Sequence, residues 1–301
     1  MKPVLACMIV VFFMFSCKKE KEVFENNTIP EYTGISTLSV ENYVNRLFID
    51  LLGREPLDTE MSAEVSALES ASLSLSSREF LVSKLQTDSD SLPGDSSYFK
   101  AYNRKFYEDT KARILEGISD GNLMDEYNLR RNIAINDSLN GNLVAYELNW
   151  AAAQRILAVI NSQYQYREGL ISVEGMYASM ILSDIYDQIN MNTFNFINAC
   201  FDDLYYRFPT QAEFDASFPI IENNEPGQIL GEVAQNKDEY ITILVQDTEF
   251  REGLVRWVFQ SLLAREPNSS ESFESINDLA AGENAAHIQK SILITDEYAG
   301  F

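Results

Sequence analysis

The sequence predicts an all-α protein, and three observations support that fold class. Apolar side chains recur at helical spacing, as Val40, Val44 and Leu47 do near the start of the chain. Strand patterns are scarce, and even the best candidate, residues 240–245, has neighbours that favour a helix. Three segments share one helical frame, which predicts repeated three-helix units that form one elongated helical domain or two packed helical subdomains.

Residues 1–16 are typical of a secretory signal peptide. Lys2 precedes an apolar stretch of about a dozen residues, which is shorter than the roughly 20 that a membrane-spanning helix needs. The tetrapeptide 14–17, Met-Phe-Ser-Cys, resembles a bacterial lipobox, with a small residue before the cysteine. This resemblance implies that the mature protein begins at Cys17, which carries a diacylglycerol and a further acyl chain such as palmitate. An ordinary cleaved signal or a short uncleaved anchor is the alternative interpretation.

Residues 17–36 predict a lipidated, flexible tether, because charged residues and Pro30 interrupt any apolar period. Lys18, rather than an aspartate, follows Cys17, and this favours transfer to the outer membrane. Residues 19–20, Lys-Glu, resemble the charged surface-export signals of lipoproteins in the Bacteroidota. The periplasmic and the cell-surface face of the outer membrane therefore both stay open.

The acidic composition limits the classes of partner. The 301 residues include 46 acidic and 23 basic side chains, a formal net charge of -23. This charge repels phosphate backbones and anionic lipids, so the sequence predicts no nucleic-acid partner and assigns membrane attachment to the lipid on Cys17. With 46% hydrophobic residues, the chain can still bury a sizeable core.

Few residues are available for metal, redox or triad chemistry, because the chain has three cysteines and one histidine. Loss of the signal and acylation of Cys17 leave Cys200, whose apolar helical setting predicts a buried thiol without a disulfide partner. His287 alone cannot form a two-histidine metal site, and a surface or helix-capping role is favoured over catalysis. We therefore predict no metal and no cofactor.

An internal repeat is the second informative feature. Residues 44–56, 197–209 and 255–267 align without a gap through an Arg-x-Pro motif, and a glutamate follows each motif. We interpret the motif as a corner, in which arginine in the last turn of one helix caps its free carbonyls and proline opens the first turn of the next. The predicted corner residues are Arg54, Pro56, Arg207, Pro209, Arg265 and Pro267.

Local sequence signals around the motif also indicate a corner between two helices. Gly53 is placed as a helix stop, and residues 210–213 have the pattern of a capping box. Asp50 and Asp203 stand four residues before the first two corner arginines, and this spacing predicts helical ion pairs.

A second signature, acidic and aromatic, closes each unit at residues 85–88, 244–250 and 293–298. A further echo between residues 166–171 and 250–255 predicts how the middle of the chain joins the second unit. The predicted organisation is a signal peptide (1–16), a tether (17–36), a first helical unit (37–110), a central helical insertion (111–190), a second unit (191–250) and a third unit (251–301).

The repeated frame resembles the helical modules of two uncharacterised bacterial domain families. Residues 52–56, Leu-Gly-Arg-Glu-Pro, and residues 291–298, Ser-Ile-Leu-Ile-Thr-Asp-Glu-Tyr, carry the likeness. One family occurs in large planctomycete cytochrome-associated proteins, and the other in repeat-bearing surface and adhesin proteins. The resemblance implies a helical surface module with no established reaction. The sequence has no Cys-x-x-Cys-His haem motif, so the cytochrome association does not transfer.

Abundant carboxylates leave a glycan-directed function as the alternative. The adjacent pair Asp202 and Asp203 points in two directions on a helix, which favours a solvated face. Residues 88–95 depart from a calcium-binding loop at Leu92 and Pro93, which favours a polar linker. An aromatic cluster could form a sugar-stacking ledge, although its helical spacing favours core packing: Tyr98, Phe99, Tyr102, Phe106 and Tyr107.

Together these patterns predict a membrane-anchored lipoprotein that acts as a non-catalytic helical binding or scaffolding module. The expected partner is another component of the cell envelope, with an envelope protein favoured. A glycan-binding or carboxylate-dependent carbohydrate-active envelope protein is the alternative function.

Overall fold

The computed structural model describes residues 34–92, 96–282 and 284–301. The predicted signal peptide, Cys17 and all but the last three residues of the tether lie outside the described residues. Residues 36–301 form one unit, whose described part folds into fifteen α-helices and a single two-stranded sheet. The all-α prediction is confirmed.

The helices begin and end as follows. They are α1 Thr37–Leu52, α2 Asp58–Ser70, α3 Leu75–Thr87, α4 Tyr98–Ile114, α5 Asp120–Leu139, α6 Leu143–Arg167, α7 Val173–Ile181, α8 Asp184–Asn190, α9 Thr193–Tyr205, α10 Gln211–Asn223, α11 Lys237–Gln246, α12 Thr248–Leu263, α13 Ser269–Ala280, α14 Ala285–Leu293 and α15 Asp296–Ala299. The strands β1 Gly227–Ile229 and β2 Glu232–Ala234 pair antiparallel between α10 and α11. Residues 240–245 lie within α11, as their neighbours predict.

Each segment that begins with the repeated frame contains three helices. These are α1–α3, α9–α11 and α12–α14, and the β-hairpin is an addition to the second segment. Two of the predicted unit boundaries, 110/111 and 250/251, fall inside α4 and α12. A helix that continues through a boundary packs on both sides of it, so these boundaries do not separate independent parts.

Polar caps start most of the helices. The Ser36 hydroxyl accepts a hydrogen bond from the Ser39 backbone N–H at 3.1 Å, and Asn268 caps α13 in the same way at 3.1 Å from the Glu271 N–H. Such caps satisfy backbone donors that have no partner within the helix, and each contributes about 1 kcal/mol. Serine, threonine, asparagine and aspartate before the apolar stripes are therefore the local reason for where these helices begin.

The hydrophobic core consists of two clusters. One joins the apolar faces of α1–α3 and the first half of α4 to α12, α14 and α15. The other contains the second half of α4, parts of α6–α11, and the beginning of α12. Helices α4 and α12 contribute to both clusters and hold them together.

Buried and partly buried polar contacts join the first and last segments of the chain. The Tyr43 hydroxyl donates to the Leu293 carbonyl at 3.0 Å, and the Tyr298 hydroxyl donates to the Asp50 carboxylate at 2.7 Å. Arg46 donates to the Tyr298 carbonyl at 2.6 Å and stacks on the Tyr298 ring at 4.2 Å. The first and third segments are therefore direct neighbours in space.

The second segment meets the third at a close crossing of α9 and α12. Gly253 of α12 is buried there, and a Cβ atom on it would lie 3.0 Å from the Leu204 carbonyl carbon and closer still to the oxygen. Only a residue without a side chain allows the two backbones to approach this closely.

Helices α5 and α6 form a hairpin of 20 and 25 residues. They pack chiefly on each other, and α5 buries only Leu123 and Ala134. None of the helices in the described part of the chain is both long and apolar enough to cross a membrane.

Candidate functional site

The three predicted corners share one geometry. In each corner the arginine makes a bidentate ion pair with the glutamate six residues later, and its Nη1 also donates to the carbonyl of the next residue. The pairs have N–O distances of 2.7–2.8 Å and are Arg54–Glu60, Arg207–Glu213 and Arg265–Glu271. The same glutamate accepts the backbone N–H of the residue that caps the next helix, at 2.7 Å in every corner.

The structure corrects the predicted roles of arginine and proline in these corners. The first helix ends before the arginine, at a left-handed residue: Gly53 (φ 74°), Tyr206 (φ 57°) or Ala264 (φ 54°). This turn points the arginine at the following helix, so it binds a carboxylate there rather than the carbonyls of its own helix. Each proline precedes the capping residue and lies outside the first turn of the second helix. The Gly53 stop and the capping box at 210–213 are confirmed.

Each corner arginine also stacks on a phenylalanine six residues earlier, at frame-equivalent positions. The distances from the guanidinium to the ring centroids are 5.4 Å on Phe48, 5.0 Å on Phe201 and 5.4 Å on Phe259. Bidentate pairing with a carboxylate requires the flat guanidinium group, which can stack on an aromatic ring at the same time. The unit that repeats is therefore Phe-x5-Arg-x5-Glu, a structural lock between two helices.

Two of the corners add a second glutamate from the closing signature. Arg207 pairs with Glu249, and Arg265 pairs with Glu297 at 2.6 Å. The hydrogen bond from Arg207 lowers the pKa of Glu213 to about 2, and the hydrogen bond from Arg265 lowers the pKa of Glu271. Each of these arginines therefore connects the end of the first helix of its segment to the helix that follows the segment, α12 for Arg207 and α15 for Arg265. The two carboxylates and the neighbouring carbonyl together accept the hydrogen bonds of each guanidinium group.

The predicted role of the aspartates before the corners differs from what the structure shows. Asp50 and Asp203 accept hydrogen bonds from tyrosine hydroxyls, Tyr298 at 2.7 Å and Tyr186 at 2.8 Å. Asp202 is exposed as predicted, but Asp203 is half-buried, and desolvation raises its pKa to about 6. A solvated face is therefore the wrong description for Asp203.

The sulfur and imidazole groups lie in different settings. Cys200 is fully buried in α9, where burial raises the pKa of its thiol, in agreement with the predicted inert role. Cys17 lies outside the described residues.

His287 is the third residue of α14. Its backbone N–H donates to the Asn284 side chain at 3.1 Å, and its Nε2 lies 3.4 Å from an Asp278 oxygen.

His287 opens onto a cleft that no sequence pattern predicted. The cleft has a volume of about 550 Å³, which is within the range of small-molecule sites, and it lies where α3, α4, α12 and α14 meet the turn between α6 and α7. Two buried contacts hold its walls together: Gln86 donates to the Ala286 carbonyl at 2.9 Å, and Tyr102 donates to Gln289 at 2.6 Å.

Cations dominate the charged groups of the cleft. Arg167, Arg251 and Lys290 line it, and Glu174 is the one carboxylate among the described lining residues. Glu283 falls outside the described residues. A cavity with this lining in a chain of net charge -23 is a local reversal of the overall charge.

The aromatic cluster in α4 is mainly core, as its spacing favours. Tyr98, Tyr102, Phe106 and Tyr107 are buried, whereas Phe99 is half-buried and lines the cleft. The ledge of exposed rings that a sugar-binding α4 needs is therefore not formed by this helix.

The echo, the sequence similarity between residues 166–171 and 250–255, places an arginine from each segment at the same cleft. The two segments nevertheless differ in local backbone structure. Gly169 is left-handed (φ 69°) after the end of α6, whereas its counterpart Gly253 lies inside α12. Arg167 and Arg251 both line the cleft. This echo is the one sequence signal that could have indicated the site.

The predicted polar linker at 88–95 is described only up to Leu92. Asp88 accepts the Asp90 backbone N–H at 2.9 Å, a local turn contact. Within the part of the chain that the structure describes, no group of three or more His, Cys, Asp and Glu side chains is placed to hold a metal ion.

A second surface feature lies at the end of the α5–α6 hairpin. Four apolar side chains, which we name the hairpin tip, are 63–82% exposed: Leu139, Leu143, Val144 and Leu148. Residues 132–154, which surround them, include two acidic and no basic side chains. Apolar groups gathered this way on a surface mark interaction sites more often than single exposed ones do.

Comparison with known proteins gives no assignment. No family model matches the sequence, and no curated protein or solved structure matches it. The resemblance to the planctomycete and adhesin modules therefore stays a prediction from the motifs.

Proposed function

We propose that the protein is a lipid-anchored, non-catalytic module that binds another component of the cell envelope, with a protein as the partner. The observation that carries the proposal is the hairpin tip, where four aliphatic side chains face solvent at the end of a long helical hairpin. Burying such side chains against a partner contributes about 25 cal/mol per Å² of apolar surface.

The charge around the tip favours a protein partner over a lipid surface. Asp137 and Glu147 are close in sequence to the tip residues, and residues 132–154 contain no lysine or arginine. Helices that lie on membranes carry basic residues, which attract anionic lipids. An acidic tip instead fits an apolar groove that is rimmed with lysine and arginine.

The corners favour a scaffolding role, because they make the helical body rigid. Three Phe-x5-Arg-x5-Glu locks fix consecutive helices, and buried contacts tie the first segment to the last. A rigid body presents the hairpin in one orientation and loses little conformational entropy on binding.

The alternative function, a glycan-binding or carbohydrate-active protein, is supported by the cleft alone. Hydrolysis by two carboxylates needs a facing pair about 5–10 Å apart, and the described lining supplies Glu174 alone. The geometry of the cleft therefore favours binding over hydrolysis.

Replacing the tip with polar residues is expected to remove the partner. The variant Leu139→Gln, Leu143→Gln, Val144→Thr, Leu148→Gln leaves the core intact because all four side chains are exposed. After extraction in mild detergent, the wild-type protein should co-purify with one partner in stoichiometric amount, and the tip variant should not.

The matched control is Phe80→Gln with Phe273→Gln, which changes two side chains of 72% and 69% exposure away from the hairpin. This control should retain the partner. Absence of a stoichiometric partner from the wild type, or its equal loss in the control, contradicts the proposal.

Lipid attachment at Cys17 is a separate expectation. Two or three acyl chains are sufficient for stable membrane anchoring, since each buried CH₂ contributes about 0.8 kcal/mol. Mass spectrometry of the mature amino terminus should show Cys17 with a diacylglyceryl thioether and an N-acyl group, and Cys17→Ser should release the body from the membrane fraction. An unmodified terminus, or cleavage at another site, contradicts the anchor.

A further inference from the structure

The cleft between α3, α4, α12 and α14 has the features of a binding site that is separate from the hairpin tip. Its three cations come from distant parts of the chain, Arg167 at the end of α6, Arg251 in α12 and Lys290 in α14. The fold therefore assembles this charge at one place. A random distribution of 23 basic among 46 acidic side chains would not favour such a cluster.

Arg251 is the key residue, because nothing in the described part of the chain engages it. No hydrogen bond, ion pair or ring contact to its guanidinium occurs among the described residues, whereas Arg256 on the same helix pairs with Glu266 at 3.0 Å. Arg251 is also the fourth residue of α12, where a positive charge is opposed by the helix dipole. A half-buried arginine in that position has five donors available for a ligand.

The other two cations have weak partners that an anion can displace. Lys290 lies 3.7 Å from Glu79, whose side chain is 52% exposed, and Arg167 pairs with Glu168, which is 56% exposed. Exposed pairs of this kind contribute only about 0–1 kcal/mol. Helices α7 and α14 begin at the cleft, and the positive ends of their dipoles add to the positive electrostatic potential there.

The uncharged part of the lining is apolar and aromatic. Phe99 and Leu254 lie on the walls, and Tyr166 lines the cleft while stacked on Phe106 at 5.3 Å. A ligand that fits this surface has a ring or another compact apolar face as well as its charge.

The geometry points to a binding site for a small organic oxyanion, a ring compound that carries a carboxylate or phosphate group, with Arg251 as the residue that holds the oxyanion. A planar guanidinium matches the paired oxygens of both groups. This inference goes beyond the proposed function and does not depend on it, since the partner binds at the hairpin tip.

The test uses the purified mature chain in detergent and measures affinity by calorimetry. The probes are digalacturonate, glucose 6-phosphate, inorganic phosphate and the neutral disaccharide cellobiose. At least one ring-bearing anion should bind at least tenfold more tightly than cellobiose, and whether digalacturonate or glucose 6-phosphate does so identifies the anionic group.

Two variants that each remove one positive charge distinguish direct binding by Arg251 from the long-range effect of the protein's charge. Arg251→Gln should weaken binding of that anion at least tenfold, and Arg256→Gln, which lies outside the cleft, should leave it unchanged. The inference is overturned if neither digalacturonate nor glucose 6-phosphate binds at least tenfold more tightly than cellobiose, including the case in which only inorganic phosphate binds. Equal weakening by the two variants also overturns it, because the charge would then act from a distance.

Discussion

Replacing Gly253 with alanine is expected to destabilise the protein by about 3 kcal/mol, at the upper end of the usual cost of overpacking. The new Cβ would lie 3.0 Å from the Leu204 carbonyl carbon and nearer to its oxygen, and both are backbone atoms of α9. A flexible side chain could move away, but a helix backbone can do so only by separating α9 from α12. The crossing that joins the second segment to the third would then open.

Thermal unfolding measures this effect, and the expected fall in Tm is roughly 6–12 °C for a protein of this size. Gly121→Ala is the matched control, because a Cβ at Gly121 in α5 would meet only the Ser119 hydroxyl at an ordinary 3.6 Å. The control should unfold at or slightly above the wild-type temperature, since alanine favours helix formation. A Gly253→Ala protein with wild-type Tm would show that the two helices do not cross this closely.

Arg207→Gln is expected to cost about 2 kcal/mol, between the values for exposed and for buried ion pairs. Its side chain is 32% exposed, and it holds Glu213 and Glu249 at 17% and 28% exposure. Without the guanidinium, two carboxylates from different helices face each other unpaired. Urea denaturation at pH 7 measures the loss.

The pH dependence of stability gives this prediction a second readout. The hydrogen bond from Arg207 lowers the pKa of Glu213 to about 2 in the folded protein, against about 4.3 in an unfolded chain. A lowered carboxylate pKa stabilises the fold above the unfolded value, and this contribution disappears as the pH falls through the folded value. The difference in unfolding free energy between wild type and Glu213→Gln should therefore shrink from about pH 5 to pH 2.

The exposed pair Arg256–Glu266, at 40% and 57% exposure, is the control for the corner. Arg256→Gln should cost less than about 1 kcal/mol. If Arg207→Gln costs no more than Arg256→Gln, and the pH profile of Glu213→Gln parallels the wild type, the corner is not a structural lock.

Local features of the fold could be predicted because they depend on neighbouring residues. Helical spacing predicts the all-α class, Gly53 ends α1, and residues 210–213 form a capping box. The sequence also shows the glutamate that follows each Arg-x-Pro motif. It does not show which group the arginine binds, because Tyr206 and Ala264 adopt a left-handed conformation that their residue types rarely favour.

Long-range packing accounts for what the sequence leaves open. The contact of Tyr43 with Leu293 joins residues 250 positions apart, and no local pattern encodes such a pairing. Gly253 stands in an ordinary helical stripe, so only the position of Leu204 on another helix shows why a side chain is excluded there.

The two candidate surfaces were hidden for different reasons. The cleft combines Arg167, Arg251 and Lys290, which are far apart in the chain. Acidic residues outnumber basic ones in the sequence, so the composition gives no sign of a positively charged site. The tip residues Leu139 and Leu143 are apolar and helical, a pattern that normally predicts core. Their exposure becomes evident only in the folded structure, where Leu139 is 82% and Leu143 is 63% exposed.

Site-specific photo-crosslinking in intact cells tests the central claim, a lipid-anchored module that binds a protein through its hairpin tip. A photoreactive amino acid at position 143 should yield one adduct of defined mass, and the same group at position 273, equally exposed on α13, should yield none. Illumination that gives no adduct from position 143, or the same adduct from both positions, contradicts the claim.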